Sequence, residues 1–337
     1  MLNILERLSA VPGVSGWEDE VRGEIMALIA GYCEYEIDAL GNLIAYKKGR
    51  LRAKQTVLLS AHMDEIGLIV TAIEDSGYLR FSTVGSIDSR VIAGKAVQIG
   101  GGKVPGVIGR KPIHLLEESE REKPPSADKF YIDIGAKDKA EAEAHVCVGD
   151  RAAFQSQFKR LGGGKIIGRA FDDRAGCAML IDMIRSDLQY DCVFSFTVQE
   201  EIGCVGALTV AYRVKPDVSI AIETTTAGDI EGAPPSKRAC ELGRGPVISF
   251  MDRGAIYDHE LYNMALDTAK KRGIPCQIKQ IVAGANESRS LQTTRTGSRI
   301  IAVSLPCRYI HTPSNMLEIE DIAHTRKLLE ALCEELS

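Results

Sequence analysis

The sequence of 337 residues predicts an α/β fold, with a mostly parallel or mixed sheet covered by helices on both faces and a small all-β domain inserted into it. Three observations carry this reading. After residue 163, short apolar runs alternate with longer stretches at helical spacing, the rhythm of a sheet buried on both faces. Between residues 67 and 163 the texture changes to short alternating runs punctuated by glycine. Before residue 67 stands one buried strand, QTVLLSAH, which needs the later half of the chain as its sheet partner. The expected domains are therefore 1–66 with 164–337, and an insert at 67–163.

The elements follow in order. Residues 1–10 have helical spacing, and Pro12, Gly13 and Gly16 end it. Ser15, with Glu18 three residues on, reads as a capping box for a helix running to about residue 29. YEIDAL and NLIAYKKG straddle Gly41-Asn42, a hairpin turn signal. In the insert, LIVTAI, YLRFSTV, AVQIGG, VPGVIG, FYIDIG and RAAFQSQF read as strands, and residues 140–144 as a short helix. LLEESEREKPPSADK is charged, holds two prolines, has no apolar period and reads as an exposed loop. Beyond Gly164, helices are expected at 175–186, 205–214, 259–273, 288–296 and 320–336. Strands are expected at 192–199, 218–223, 247–252, 276–282 and 299–306.

Composition narrows the class. Net charge is −5, from 41 basic and 46 acidic residues, without the clustered basic footprint of a nucleic-acid binder. No stretch approaches the length that spans a bilayer. The N-terminal segment has no basic region of the secretory kind and carries Glu6 within its apolar stretch. The nine cysteines are scattered without a C-x-x-C pair, as expected of reduced thiols in a cytoplasmic protein.

Chemistry concentrates at strand ends. His62 follows TVLLSA, Asp172 lies in GRAFDDRAG, Glu201 closes FSFTVQEE, Glu223 closes VSIAIE and His311 follows IIAVSLPCRYI. Ligands of open α/β sheets gather at the carboxyl ends of strands. Two imidazoles and three carboxylates suit divalent Zn, Co or Mn. Asp64, two residues beyond His62 in an extended chain, faces the same way and can fix the metal-binding tautomer. One aspartate can bridge two cations through its two oxygens. The adjacent pair Glu200-Glu201 is tolerable at a buried strand end if one faces a cation and the other holds a proton or a water.

These residues carry a resemblance. SAHMDEIGLIV at 60–70, GRAFDDRAG at 168–176, VQEEIGCVGA at 198–207 and RYIHTPSN at 308–315 resemble the motifs of the M42 aminopeptidases, related to glutamyl aminopeptidase and often named as endoglucanase homologues. The resemblance covers almost the whole chain. It implies a co-catalytic metallopeptidase fold with a barrel-like insert that supplies oligomer contacts. It implies two divalent ions per subunit, Zn²⁺ first and Co²⁺ or Mn²⁺ as alternatives. His62 and Glu223 would hold one, Glu201 and His311 the other, and Asp172 both. Glu200 would act as general acid/base while a bridging water attacks the scissile carbonyl, and Asp64 would orient His62. The implied substrates are peptides, trimmed from their amino termini, and the implied assembly is a tetrahedral dodecamer built from dimers. Neither nucleic acid nor membrane is an expected partner.

Two departures stand out. The family more often has Asp where this chain has Glu223, and GANESRSL replaces its usual Gly-Thr/Asn-Asp-Ala-Gly segment, with Glu287 at the Asp position. The alternatives are a related dinuclear-metal amidohydrolase, either deacylase or carboxypeptidase, and a non-catalytic assembly protein. A glucanase is disfavoured, because sugar clefts commonly use aromatic platforms and the chain has a single tryptophan, Trp17.

Overall fold

Alternation of apolar side chains along the strands builds two cores on one sheet. In the computed structural model, which describes residues 1–118 and 124–337, the chain forms a mixed eight-stranded sheet and a closed barrel. First come α1 (Leu2–Ala10), α2 (Asp19–Ile29), β1 (Glu34–Ile37), β2 (Leu43–Lys47) and β3 (Val57–His62). The barrel is made of β4 (Gly67–Ile73), β5 (Leu79–Val84), β6 (Ala96–Ile99), β7 (Val104–Arg110), β8 (Phe130–Asp133) and β9 (Arg151–Phe154), with α3 (Lys139–Glu143) before the last strand. The chain returns through β10 (Lys159–Arg160), β11 (Lys165–Gly168), α4 (Phe171–Arg185), β12 (Cys192–Thr197), α5 (Val205–Val214), β13 (Val218–Thr226) and β14 (Val247–Ile248). It ends with α6 (His259–Lys271), β15 (Gln277–Ile278), α7 (Ser288–Leu291), β16 (Arg299–Cys307), β17 (Asn315–Glu318) and α8 (Ile319–Glu335).

The sheet order is β1-β2-β12-β3-β13-β16-β14-β15. Its centre, β12, β3, β13 and β16, is parallel, and β2 and β14 flank it antiparallel. Val57, Leu59 and Ala61 of β3 pack with Ile220 and Ile222 into the larger core, beneath the almost wholly buried α4. Leu58 of the same strand packs with Ala221, Ala302 and the apolar side of α5 into the opposite core. His62 and Glu223 belong by period to this second face. The barrel has its own core of Leu68, Phe81, Val97, Ile99, Phe130, Ile132 and Phe154.

The hairpin expected at Gly41-Asn42 forms, and other expected elements end early or pair elsewhere, because nearby side chains or another strand take their backbone groups. The loop between β1 and β2 spans 38–42, because Asp38 Oδ1 accepts the N–H groups of Leu40, Gly41 and Asn42 and Gly41 turns at φ +101°. Lys159 and Arg160, within the expected insert, pair with β11, which pairs with β17 beside the main sheet. The helix expected at 288–296 stops at Leu291, where Thr293 and Thr294 hydroxyls turn back onto the carbonyls of Arg289 and Ser290. The strand expected at 247–252 ends at Ile248, and Asp252 closes a turn by accepting the N–H groups of Gly254 and Ala255. Of the charged tract LLEESEREKPPSADK, residues 119–123 lie outside the described residues; Leu115 ends one single-turn helix, Ile113–Leu115, and Ala127–Lys129 forms another. No helix among the described residues is long and apolar enough to cross a membrane. The cysteines form no disulfide.

Candidate active site

Parallel register sets the first pair. Ala221 lies opposite Ser60, so Glu223 and His62, each two residues further on, sit level on adjacent strands and face the same side. β13 continues to Thr226, so Glu223 is inside the strand and not at its end. His62 Nε2 lies 3.7 Å from Glu223 Oε2 and 3.5 Å from Asp172 Oδ1. The other oxygen of Asp172 faces a second imidazole: Oδ2 is 3.3 Å from His311 Nε2, which is 3.5 Å from Glu201 Oε2. All five sequence-predicted donors thus converge, as two triads that share Asp172.

The supports are specific. The Asp172–Asp173 peptide is cis; Asp172 turns to the site and Asp173 Oδ1 accepts the Gly176 N–H at the start of regular helix. His62 Nδ1 lies 3.1 Å from the Asp64 carbonyl oxygen and 3.4 Å from its Oδ1, which selects Nε2 for the cluster. The His62–Asp64 loop is held from behind by the fully buried Arg174, whose Nε donates to the Met63 carbonyl and whose guanidinium also donates to the Leu8 and Val11 carbonyls. Ala170, Gln199, Cys204, Tyr309 and His311 are non-glycine residues with φ between 54° and 60° around the site. Left-handed residues of this kind concentrate where surroundings over-determine the backbone.

The electrostatics call for cations. Asp173, Glu200, Glu201, Glu223 and Glu287 crowd the two imidazoles, and among the described residues no Lys or Arg forms an ion pair with any of them. Burial, then the charges of Asp64 and Asp172, pushes Glu200 up to about 7 despite His62. Burial raises Glu201 and Glu223 well above the carboxylate range. Against the cost of burial, hydrogen bonds from His311 and His62 hold Asp172 low. His311 is pushed up to about 9, because Asp172 and Glu201 outweigh its burial. Mixed imidazole and carboxylate donors, shared by one aspartate and lacking cationic partners, fit a pair of divalent ions.

Glu200 stands apart from both triads. Its Oε1 accepts a hydrogen bond from Cys204 Sγ at 3.2 Å, and its backbone N–H donates to Asp64 Oδ1. Glu287, read from sequence only as a departure in a loop, is fully buried beneath the site. Its carboxylate accepts from the hydroxyls of Ser60 and Thr197, and its N–H lies 3.4 Å from Glu223 Oε1. Periodicity could not reveal this, because those partners lie on strands 227 and 90 positions away.

Comparison with known proteins bears on the same geometry. Residues 41–328 match the M42 glutamyl aminopeptidase family. The chain belongs to that family. It is thereby a hydrolase of the aminopeptidase class. An aminopeptidase-named protein of Acetivibrio thermocellus is 38% identical, with 99% of this chain and 98% of that protein covered. The TET aminopeptidase of Thaumarchaeota archaeon SCGC AB-539-E09 superposes with a TM-score of 0.95 at 33% identity, over 100% of this chain and 96% of that one. The TET1 peptidase of Pyrococcus horikoshii, described as assembling into a tetrahedron or a large octahedral shell, gives 0.86 at 36% identity, with 98% of each chain covered.

Proposed function

We propose that this M42 family member is a two-metal aminopeptidase that removes residues from the free amino terminus of peptides. The observation that carries the reading is Asp172, whose two oxygens face different imidazoles, each with its own glutamate. His62 and Glu223 would hold one divalent ion, His311 and Glu201 the other, and Asp172 both; Zn²⁺ is the first candidate, with Co²⁺ or Mn²⁺ as alternatives. When bound, such ions polarise the scissile carbonyl and lower the pKa of water. Glu200, outside both donor triads, takes a proton from the attacking water and returns it to the leaving amine. Burial favours its protonated form and so assists uptake of a proton from the water. Asp64 keeps Nε2 of His62 turned to the cluster and fixes the backbone of Glu200 and Glu201. Like its TET relatives, the chain would self-associate, into a tetrahedral dodecamer of dimers, with the 67–163 insert supplying contacts. Its place would be the cytoplasm.

A free and an N-acetylated form of the same peptide test the reading. The metal-loaded protein is expected to release the first residue of the free peptide only. Cleavage of the acetylated form at a comparable rate would move the protein to the deacylase or carboxypeptidase class.

Chelation should expose the electrostatic cost of the cluster. Glu200, Glu201 and Glu223 have raised pKa values in the folded state, so the metal-free fold binds more protons than the unfolded chain. Stability then falls as pH rises above the ordinary carboxyl range. His311, raised to about 9, acts in the same direction, because its protonated form favours the fold and is lost as pH rises through that value. Asp172 and Asp64, held low, act the opposite way only in more acidic solution. The Tm in chelator is expected to fall from about pH 6 to about pH 8.5, while that of the metal-loaded protein changes little. Parallel curves with and without chelator would contradict this account.

A further inference from the structure

Glu18 sits where sequence places a local helix cap, and its side chain does something else. It is the residue before α2, yet its carboxylate makes no bond to the first turn of that helix. Glu18 is 5% exposed, and among the described residues no Lys or Arg forms an ion pair with it. Its Oε1 accepts two backbone N–H groups, from Gly16 at 2.7 Å and from Gln199 at 3.1 Å. The next two N–H groups along the chain, of Glu200 and Glu201, donate to Asp64 Oδ1 and Oδ2 at 2.9 and 3.1 Å. Three successive peptide groups are therefore gripped by two buried carboxylates.

The segment needs that grip. Gln199 has φ +57°, a left-handed conformation that a side chain disfavours. It is the residue that turns the chain from β12 into the Glu200-Glu201 pair. A peptide rotation at Gln199 would carry the Glu200 and Glu201 side chains with it. The same network closes on itself: Ser15 Oγ donates to Asp64 Oδ2 at 2.6 Å, and Glu18 holds the Ser15-Gly16 turn through the Gly16 N–H. Residues 15–18 thus reach across the fold to brace the 199–201 turn. Distance in sequence separates this from ordinary capping, since Glu18 and Gln199 are 181 positions apart.

We infer that Glu18 is a positioning residue that fixes the Gln199–Glu201 backbone and so aims Glu200 at the reacting atoms. The inference rests on the proposed role of Glu200, and the experiment separates the two. Glu18→Ala and Glu18→Gln would be compared with the parent by steady-state kinetics, metal content and hydrogen exchange of the 198–204 segment, with and without chelator. Gln keeps an oxygen able to accept both N–H groups, whereas Ala keeps none. Glu18→Ala is expected to lose about tenfold to about 100-fold in kcat, the scale of a small misplacement of a catalytic group. KM should stay within about twofold, and any loss of metal should be confined to the Glu201–His311 triad and be restored in Glu18→Gln. Exchange of the segment should quicken at least about tenfold, in chelator as well as with metal. Glu18→Gln should restore kcat and slow exchange.

Unchanged exchange in Glu18→Ala would overturn the positioning role, whatever the activity. So would a kcat within about threefold of the parent, or a loss of metal and turnover together that Gln fails to restore. A metal-loaded parent that cleaves no free-amino peptide would overturn the aminopeptidase reading instead, and the exchange arm would still decide the role of Glu18.

Discussion

Glu200→Gln is expected to leave both metal ions bound and to lower kcat by about 10²–10⁴-fold, with little change in KM. The amide fills the same space and can accept the Cys204 thiol hydrogen bond at Oε1, so the turn should persist. What it cannot do is take up a proton. Glu200 contributes to neither donor triad, and its backbone N–H, which Asp64 holds, is untouched by the substitution. Elemental analysis and steady-state kinetics on one preparation give both readouts. A metal-replete variant with parental turnover would remove Glu200 from the chemistry. A variant that loses metal would make it a ligand and not a proton carrier.

Asp172→Ala is expected to weaken both metal sites together, by more than the roughly 10–100-fold that an outer-sphere partner costs. The two oxygens face different imidazoles, so removal of one side chain takes an oxygen from each triad. It also removes the charge that, with Glu201, raises His311. Glu223→Ala and Glu201→Ala are the controls, each touching one triad only. Titration calorimetry of the chelated proteins should show two weakened sites in the first variant and one in each control. One site at parental affinity in Asp172→Ala would argue that the aspartate serves a single ion.

Legibility in the sequence followed the range of the interactions. The parallel centre of the sheet was readable because β3, β12, β13 and β16 are buried on both faces and therefore appear as continuous apolar runs. The short β14 and β15 were overestimated, because beyond Ile248 Asp252 accepts the Gly254 and Ala255 N–H groups, and beyond Ile278 the Gln280 N–H donates to the Ala239 carbonyl. Ser15 and Glu18 fit a capping box by type and spacing. Both side chains turned instead to the site, one to Asp64 and the other to Gln199. Glu287 gave no periodic signal, and its hydroxyl partners lie on β3 and β12.

By itself the sequence determined which charged side chains close or follow buried apolar runs, and so which could act as ligands: His62, Asp172, Glu201, Glu223 and His311. An apolar run marks the charge that follows it without any knowledge of the rest of the chain. Only the tertiary structure decided how those side chains divide. Register between β3 and β13 sets His62 level with Glu223, the turn after β11 points one oxygen of Asp172 at each imidazole, and Glu18 braces the turn that carries Glu200. The physical reason is that strand register and hydrogen bonds between distant segments are set by packing across the sheet, which a pattern read along one strand does not contain.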